Sequence, residues 1–418
     1  MHAYRPIKCP FYDVIVIGAR CAGASTAMLL ASAGLRVLVI DRQPYGSDTL
    51  STHALMRPAV VQLARWGLLE KIVAESTPVI TATSFHYGGD DVVTVPVQGN
   101  ARIPGLVAPR RTVLDRLLVD AAIEAGAEVV HGVVAQQLLH QRTGRVSGVR
   151  VRCTDGRVLS LGASWVVGAD GLGSLVGREA NAQTLYRGRA SAATIYVYTK
   201  NPGVDGYHWY FGKRCAAGII PTNEDKICVF VSTPAEGADP SGNSMAERHA
   251  AVLRRLVPSI AEHIASTGCS MPRGFRGVPA TIRQAYGPGW VLVGDAGLFR
   301  DPLTSHGISD ALRDAEGAAR AIMLASEREL SFYEQERDAL ARPVIHATES
   351  ICSFDWSGDQ LKELHRQLSA AIKDEVAVLM DRPSNVSVSP DLAGTTVPND
   401  DIRIDPGKRD YALQHSQS

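Results

Sequence analysis

The chain has 418 residues with 43 basic and 43 acidic side chains, so its formal net charge is zero, and 45% of its residues are hydrophobic. This composition excludes a wholly disordered chain, a collagen-like fibre and a disulfide scaffold, because it provides enough apolar residues for large cores. The balanced charge, without a basic run, argues against a nucleic-acid partner. Seven scattered cysteines without zinc-type spacing indicate free thiols and predict no metal site.

The amino-terminal ten residues lack the apolar core of a secretion signal. The most apolar early stretch, residues 14–17, is far too short to cross a bilayer. We therefore expect a cytoplasmic protein without a membrane span, acting as a monomer or homodimer on a small-molecule substrate. At the other end, the polar, proline-containing stretch 381–418 predicts an extended tail.

The first forty residues predict a parallel β-α-β unit. Residues 12–17 form a short apolar strand, residues 22–33 an Ala- and Leu-rich helix that ends near Gly34, and residues 36–40 a second apolar strand. Uninterrupted apolar strands on either side of a helix are typical of a parallel sheet with both faces buried.

The later elements follow from two periodicities, since alternating apolar residues indicate strands and a spacing of three or four indicates helices. In chain order they are antiparallel strands in 76–100, a helix at 111–126, strands at 129–134, 146–153 and 165–169, a hairpin turn at 154–157, a β-sheet at 190–233, a helix at 245–266, a strand at 290–293 and helices at 306–325, 331–350 and 359–380. The order predicts an α/β chain with a β-rich insertion and a carboxyl-terminal helical segment.

The loop after the first strand has two of the three glycines of a dinucleotide-binding motif. Gly18 and Gly23 occupy the first and third positions of G-x-G-x-x-G, whereas Arg20 stands at the second. Gly18 permits a tight turn, and Gly23 allows the helix to pack closely on the strand, so that its free N–H groups can bind a pyrophosphate. Asp41 ends the second strand, where a carboxylate can hold ribose hydroxyls. An ordinary β-α-β unit with packing glycines is the alternative interpretation.

Three further motifs make the pattern specific. They are Gly-Ala-Asp-Gly at 168–171, Gly-Asp-Ala-Gly at 294–297 and Asp-Pro-Leu-Thr-Ser-His-Gly at 301–307. In this order, residues 11–325 resemble the FAD-dependent monooxygenase superfamily, the para-hydroxybenzoate hydroxylase-like flavoproteins. The residues at 18–23, 47–53 and 301–307 are most similar to the branch near its geranylgeranyl-reductase-like and flavin-halogenase-like members.

The resemblance implies a Rossmann-like FAD-binding domain with an interleaved, mainly β substrate domain and carboxyl-terminal helices. It places FAD contacts at Gly18, Ala19, Arg20, Ala22, Gly23, Asp41, Arg42, Arg111, Asp170, Gly171, Gly294, Asp295, Pro302, Thr304, Ser305, Gly307 and Ile308. It divides the chain into an FAD-binding domain at 8–75, 101–185 and 271–325, a β-rich substrate domain at 76–100 and 186–270, helices at 326–380 and a tail at 381–418.

The sequence has a single nucleotide-binding loop and no Cys-x-x-Cys pair. This favours an enzyme that binds NAD(P)H transiently over a disulfide reductase with a second dinucleotide-binding domain. The resemblance implies that FAD, reduced by NAD(P)H, reacts with O2 to a C4a-hydroperoxide and transfers one oxygen atom to a small organic substrate, aromatic or from secondary metabolism. Three alternatives remain: a double-bond reductase of the geranylgeranyl reductase type, a flavin halogenase and a non-catalytic FAD-binding protein. The paired tryptophans of halogenases are missing.

Two histidines are the candidate catalytic residues. His306 precedes a predicted helix at the implied flavin edge, and His53 follows the strand that ends at Asp41. With a pKa of about 6.5, an imidazole can relay protons at neutral pH. The candidate substrate-binding residues, on the predicted β-sheet, are Tyr196, Tyr198, His208 and Tyr210. Alternate residues share a face of a strand, so Tyr196 pairs with Tyr198 and His208 with Tyr210. For these four residues and the two histidines, the alternative is a structural role.

Overall fold

The computed structural model of the protein describes residues 7–235 and 243–383. Its helices are α1 (Cys21–Ser32), α2 (Arg57–Arg65), α3 (Leu69–Ala74), α4 (Arg111–Glu124), α5 (Leu175–Glu179), α6 (Met245–Leu256), α7 (Pro258–Thr267), α8 (Gly307–Leu324), α9 (Glu327–Cys352) and α10 (Gly358–Asp381). Short 3-10 helices span Gly294–Ala296 and Pro302–Thr304. Residues 384–418, which make up most of the predicted tail, lie outside the described residues.

Its strands alternate with these helices in the first half of the chain and cluster in the middle. They are β1 (Phe11–Ile17), β2 (Val37–Asp41), β3 (Val79–Ile80), β4 (Ala82–His86), β5 (Val92–Pro96), β6 (Leu106–Val107), β7 (Glu128–His131), β8 (Val134–His140), β9 (Val146–Arg152), β10 (Val158–Gly168), β11 (Thr184–Arg187), β12 (Ala192–Lys200), β13 (Tyr207–Gly212), β14 (Cys215–Thr222), β15 (Lys226–Pro234), β16 (Arg273–Phe275), β17 (Thr281–Arg283), β18 (Tyr286–Gly287), β19 (Trp290–Leu292) and β20 (Leu298–Phe299). The order matches the predicted α/β pattern.

A first sheet contains the predicted β-α-β unit. Its strands lie in the order β18, β19, β10, β1, β2, β7, and β1 is parallel to both β2 and β10. Val14 and Val16 belong to the hydrophobic cluster that includes α1, whereas Ile15 and Ile17 belong to a second cluster on the opposite face. Both faces of β1 are therefore buried, as its uninterrupted apolar run predicts.

A second sheet is mainly antiparallel and has the strand order β16, β12, β15, β14, β13, β4, β5. β4 and β5, from the segment 76–100, join it because β4 pairs in parallel with β13. The sheet also continues into β16, which the sequence-based division placed with the first domain. Helices α6 and α7 cover one face through Leu253, Val257 and Ile260, and the other face belongs to the cluster that contains α1.

The helix predicted at 245–266 is wrong in one respect, because the structure has two helices there. α6 ends before Val257, and α7 begins at Pro258. Proline has no N–H group, and its ring collides with the preceding turn, so it is tolerated at the first position of a helix but not in its interior. The proline was visible in the sequence, and it marks the break.

The carboxyl-terminal helices pack against the hydrophobic cluster that contains α1. α10 contacts α9 and α2, and its leucines at helical spacing, Leu361, Leu368 and Leu379, are buried. This face of α10 therefore packs within the chain. In the part of the chain that the structure describes, no helix combines the length and apolar character needed to cross a bilayer.

Candidate functional site

The predicted loops meet at one edge of the first sheet. Residues 18–23 follow β1, residues 169–171 follow β10 and residues 293–297 follow β19, and these three strands are parallel neighbours. β2, which ends at Asp41, is the parallel neighbour of β1 on the other side. Open α/β sheets bind their ligands outside the carboxyl ends of such strands. The fold thus brings motifs from distant parts of the chain to one place.

The glycine loop is packed so closely that two of its positions accept no side chain. Gly18 has φ +106°, and a Cβ there would lie 2.4 Å from the carbonyl oxygen of Ala169. A Cβ at Gly23 would lie 1.8 Å from the oxygen of Gly18. Arg20, at the middle glycine position, has extended backbone angles and caps α1 without a side-chain hydrogen bond. The first N–H groups of α1 therefore have no side-chain acceptor and are available to an anion.

Asp41 lies against this loop. Its Oδ2 accepts a hydrogen bond from the Ala19 N–H at 2.7 Å, and its Oδ1 accepts one from the Gln43 N–H at 2.7 Å. Each carboxylate oxygen has a second lone pair, so the group can still accept hydrogen bonds from ribose hydroxyls. Arg42, the next residue, is exposed.

Gly294 and Asp295 approach the glycine loop from β19. Gly294 has φ +55°, and a Cβ there would lie 3.0 Å from the Cβ of Ala22. Asp295 is accessible to solvent, although the strand before it is buried. The surrounding protein, followed by the negative charge of Asp310, raises the pKa of Asp295 to about 6. The exposed carboxylate therefore offers acceptors to ligand hydroxyls at this edge of the sheet.

Arg111 joins the glycine loop to the Asp295 loop. It begins α4, and its Nε and Nη2 lie 3.1 and 2.9 Å from Oδ1 of Asp115. The same carboxylate oxygen accepts from the thiol of Cys21, at the start of α1, at 3.2 Å. Although burial opposes its charge, Asp115 holds the pKa of Arg111 above the usual range, and Asp295 adds to this. Arg111 is thus a fixed cation among the predicted FAD contacts.

Asp170 is occupied by the protein itself. Its carboxylate accepts from the Ser174 hydroxyl at 2.6 Å and from the Leu175 N–H at 2.6 Å, which caps the short helix α5. Gly171 has φ +77°, and a Cβ there would meet nothing within 4 Å. The geometry therefore gives Asp170 a capping role next to the glycine loop, and the predicted FAD contact at Asp170 and Gly171 stays a prediction.

The turn before α8 is held by hydrogen bonds to Asp301, and no side chain caps the helix that follows it. Asp301 accepts from the Leu303 N–H at 2.9 Å and from the Ala192 N–H of β12 at 2.6 Å. Ser305 has φ +57°. Gly307 begins α8, no side chain caps the helix there, and a Cβ on Gly307 would meet nothing within 4 Å. The predicted contacts of this turn are Pro302, Thr304, Ser305, Gly307 and Ile308.

His306 is fully buried in this turn. Its Nδ1 lies 2.7 Å from the carbonyl oxygen of Thr304. Because a carbonyl oxygen only accepts, Nδ1 carries the proton and Nε2 does not. Nε2 is buried without a hydrogen-bond partner among the described residues. Burial, followed by the charge of Arg300, lowers the pKa of His306 to about 4, so the ring is neutral at pH 7 with a free acceptor nitrogen.

His53 is also buried, and its Nε2 is hydrogen-bonded to the hydroxyl of Tyr198 on β12. The two rings stack with their centroids 5.5 Å apart. His53 has φ +68°, a region that is unfavourable for a side chain of its size. Burial, followed by the positive charges of Arg110 and Arg111, lowers the pKa of His53. The fold therefore joins two sequence candidates that lie 145 residues apart.

The four substrate-binding candidates lie on opposite faces of the second sheet. Tyr196 and Tyr198 belong to the cluster that also contains α1. His208 and Tyr210 lie on the other face with His86, whose Nε2 is 3.2 Å from Nδ1 of His208 and whose ring stacks on that of Tyr210. The fold thus brings the first pair to His53 and separates the second pair from it by the sheet.

Three charged residues beside Tyr198 were not among the candidate site residues of the sequence analysis. The guanidinium carbon of Arg110 lies 4.0 Å from the centroid of the Tyr198 ring, and both Arg110 and Arg273 contact Asp48. Arg110 could have been predicted, because it directly precedes Arg111, which is a predicted FAD contact. Arg273 is 225 residues away from Asp48 in sequence, so nothing local could have paired them.

A second unforeseen feature is a buried ionic cluster below the turn before α8. The cluster comprises Arg300, Asp310, Arg313, Asp314 and Glu375. Arg313 lies 2.7 Å from Asp310, 2.9 Å from Asp314 and 2.8 Å from Glu375, and Arg300 pairs with Asp310. All five side chains are at most 2% exposed. Oδ2 of Asp314 also accepts from the Gly294 N–H at 3.2 Å, which links the cluster to the Asp295 loop.

Comparison with known proteins agrees with this geometry. Residues 11–348 match the FAD binding domain family. The chain is 28% identical over 407 residues to digeranylgeranylglycerophospholipid reductase 2 of Methanothermobacter thermautotrophicus, covering 91% of this chain and 99% of that protein. It is 25% identical over 379 residues to the uncharacterized aromatic compound monooxygenase YhjG of Bacillus subtilis, covering 86% and 72%.

Among solved structures, that of the flavin-dependent brominase Bmp2 is similar with a TM-score of 0.73 at 18% identity, over 88% of this chain and 93% of that chain. This likeness concerns the fold. Together with the family match, it confirms the predicted α/β fold, the resemblance that the motifs carried and the class of FAD-dependent oxidoreductases. The chain belongs to the FAD binding domain family.

Proposed function

We propose that the protein is a monooxygenase that uses NAD(P)H and O2 to transfer one oxygen atom to a small aromatic or related secondary-metabolite substrate in the cytoplasm. When bound, FAD supplies the two-electron redox chemistry and the reaction with O2. The observation that carries the proposal is an aromatic wall on the second sheet. The wall consists of the buried side chains Tyr196, Tyr198, Tyr207, Trp209, Phe211 and Phe230.

We infer that the aromatic wall lines the substrate site and excludes water from it. Its six residues belong to one hydrophobic cluster with Cys21, next to the glycine loop, and with Leu303, in the turn before α8. Nε1 of Trp209 is buried without a hydrogen-bond partner among the described residues. Aromatic side chains stack on aromatic ligands, and a few polar groups then orient the ligand. This arrangement supports an aromatic substrate better than a long flexible one.

The residues at the strand ends fit FAD. The uncapped start of α1 is suited to the pyrophosphate, and Asp41 and Asp295 offer acceptors to hydroxyl groups. Arg111 supplies a fixed positive charge, and the uncapped start of α8 at Gly307 supplies a second set of N–H groups. Each group provides a kind of contact that a dinucleotide needs.

The affinity for FAD is expected to fall as the pH is lowered through about 6, because Asp295 then becomes protonated. Hydrogen bonds from ligand hydroxyls favour the carboxylate, so its pKa in the complex lies below that in the apoprotein. We expect FAD binding, measured by flavin fluorescence, to be constant above pH 7 and about tenfold weaker at pH 5. The charges that contribute to this pKa are Asp310, Arg111, Asp314 and Arg300.

Asp295→Asn separates this effect from other titrations. The variant keeps the shape of the side chain but carries no charge at any pH. Its FAD affinity should therefore be lower than that of the wild type at pH 7, and it should stay constant between pH 7 and pH 5. An unchanged affinity at pH 7 together with the wild-type pH profile would show that Asp295 does not contact FAD.

The proposed proton transfers involve His306, His53 and Tyr198. Oxygen transfer to a phenol requires a proton to leave the substrate hydroxyl. Nε2 of His306 carries no proton at pH 7 and can accept a hydrogen bond from the substrate hydroxyl, although its pKa of about 4 makes it a weaker base than a free imidazole. The Tyr198 hydroxyl is hydrogen-bonded to His53. We assign His306 the role of orienting the substrate hydroxyl and the His53–Tyr198 pair the role of a proton relay on the substrate side.

His306→Asn is expected to keep FAD and to lose coupling between NAD(P)H oxidation and product formation. The asparagine amide can still donate to the Thr304 carbonyl oxygen, so the turn is preserved while Nε2 is removed. Product formed per NAD(P)H should fall about a hundredfold for phenols, with release of hydrogen peroxide. The exposed His140 gives the matched control His140→Asn. Fully coupled turnover in His306→Asn would make His306 structural and leave proton transfer to His53.

The function is tested directly with holoprotein, NADPH or NADH and isotopically labelled O2. The monooxygenase proposal expects labelled oxygen in the product of at least one compound from a panel of aromatic and polyketide-like substrates. A double-bond reductase is the second candidate, since the methanogen reductase covers nearly the whole chain. Anaerobic turnover that adds two hydrogens to a prenyl substrate would favour it over oxygen transfer. Bromide incorporation would indicate a halogenase, and FAD binding without turnover a non-catalytic protein.

A further inference from the structure

A buried ion pair joins the two ends of the turn before α8. Nη2 of Arg300, the residue that precedes the turn, donates to Oδ1 of Asp310, in the first turn of α8. Their side chains are 0% and 2% exposed. The segment between them, residues 301–309, includes His306 and all the FAD contacts predicted for this turn. We call Arg300 and Asp310 the turn clamp.

The turn depends on external support because part of its backbone is strained. Ser305 has φ +57°, which is uncommon for a residue with a side chain and persists where surrounding contacts enforce it. Asp301 accepts from the Ala192 N–H of β12, and the hydroxyl of Thr304 is hydrogen-bonded to that of Thr348 on α9. These contacts fix the turn to neighbouring elements. The turn clamp adds a link from the start of the turn to the helix that follows it.

The turn clamp contributes less to stability than a fully bonded ion pair would. Nε and Nη1 of Arg300 and Oδ2 of Asp310 are buried without a hydrogen-bond partner among the described residues. Asp310 also has a second cation, since Nη1 of Arg313 lies 2.7 Å from its Oδ1. Buried charges with unpaired donors are unfavourable, and apolar side chains often replace buried ion pairs without loss of stability. A role in fixing the turn therefore accounts for Arg300 better than stability alone.

We propose that Arg300 and Asp310 are positioning residues, whose ion pair holds the turn so that the N–H groups at the start of α8 face the flavin. No side chain caps these N–H groups, so they can stabilise the negative charge of a reduced flavin. The turn clamp thereby favours reduction of the flavin without contact between either residue and the cofactor. The inference rests on the proposed function, because it requires FAD at this edge of the first sheet.

The test measures the midpoint potential of the flavin in holoprotein, without O2 and without substrate. The double variant Arg300→Met with Asp310→Asn removes one charge of each sign, so a change in its potential reports position and not net charge. We expect reduced flavin to be bound about tenfold less tightly relative to oxidised flavin, which lowers the potential of this two-electron couple by about 30 mV. Bound FAD should be retained, because the glycine loop and Asp41 are unchanged.

The matched control is the double variant Arg65→Met with Glu316→Gln. It also removes an ion pair of α8, whose side chains are 17% and 16% exposed, but this pair does not span the turn. Its potential should equal that of the wild type even where its stability is lower. A fall as large as that of the turn-clamp variant would attribute the effect to general destabilisation of α8 and overturn the inference.

Arg300→Lys is a milder variant that keeps the positive charge. An ammonium group on a flexible stem holds a carboxylate in a less fixed geometry than a guanidinium does. The relative affinity for reduced flavin should fall about threefold, which lowers the potential by about 15 mV. If the double variant does not fold, a wild-type potential in Arg300→Lys overturns the inference.

A wild-type potential in the folded double variant would likewise overturn the inference. The single variants then give the cause, since an effect of charge alone lowers the potential in Arg300→Met and raises it in Asp310→Asn. Failure of oxygen transfer together with the expected shifts in potential would refute the proposed function alone. Oxygen transfer by a protein whose turn-clamp variants keep the wild-type potential would refute the inference alone.

Discussion

Gly23→Ala is expected to yield a folded protein that no longer retains FAD. The added Cβ would lie 1.8 Å from the backbone oxygen of Gly18 and 3.0 Å from the Cβ of Ala169. The oxygen belongs to the backbone, so no flexible side chain can move aside. The start of α1 must therefore shift away from β1, and its free N–H groups move with it. Overpacking of this kind costs about 1–3 kcal/mol. If the displaced helix start gives up that much binding energy, the affinity for FAD falls by up to about a hundredfold.

The measurement is the flavin content of purified protein, followed by FAD titration of the apoprotein, with circular dichroism as the check on folding. Gly358→Ala is the matched control, because a Cβ there would meet nothing within 4 Å and the residue lies at the start of α10. The control should retain FAD fully. A Gly23→Ala protein with wild-type flavin content would mean that the glycine loop does not approach the sheet as closely as the structure shows.

The loops at the strand ends of the first sheet were predictable because their signals are local. The apolar run that predicts a strand at 12–17 is observed as Phe11–Ile17, and Asp41 ends the second strand as expected. Gly18 and Gly23 stand where the backbone or a close approach excludes side chains. Each of these features depends on a few neighbouring residues, so a single sequence carries it.

The second sheet was predictable only in part, because it depends on pairing between distant strands. The alternation that groups Tyr196 with Tyr198 holds, but it cannot tell which face of the second sheet packs toward α1. The parallel pairing of β4 with β13 decides where His86, His208 and Tyr210 lie, and no periodicity encodes it. The contact between His53 and Tyr198 likewise arises from tertiary structure.

The buried ionic cluster is the largest departure from what the sequence pattern suggests. Arg313 and Asp314 look like the polar face of an amphipathic helix, yet both are buried in α8. They are covered by α10, which brings Glu375 to Arg313 from 62 residues further along the chain. Charged residues are almost never fully buried unless paired, so only the partner on a distant helix explains their place.

Arg313→Met is expected to lower the free energy of unfolding by about 3–5 kcal/mol, because it leaves Asp310, Asp314 and Glu375 buried without their main counter-ion. Methionine has a similar length and fills most of the space, so the loss reflects charge and not a cavity. The measurement is denaturant unfolding of the apoprotein at pH 8. Arg366→Met, at an exposed pair on α10, is the control and should change stability by less than about 0.5 kcal/mol.

The pH dependence identifies the cause of this loss. Burial already raises the pKa of Asp314 and of Glu375 in the wild type, and removal of Arg313 raises both further. A carboxyl group whose pKa is higher in the folded than in the unfolded state destabilises the fold when ionised, and this effect fades as the pH falls. The deficit of Arg313→Met should therefore shrink between pH 8 and pH 5. A deficit that is constant over this range would indicate lost packing and not unpaired charge. Because Asp314 also accepts from the Gly294 N–H, the variant should lose FAD affinity in parallel with stability.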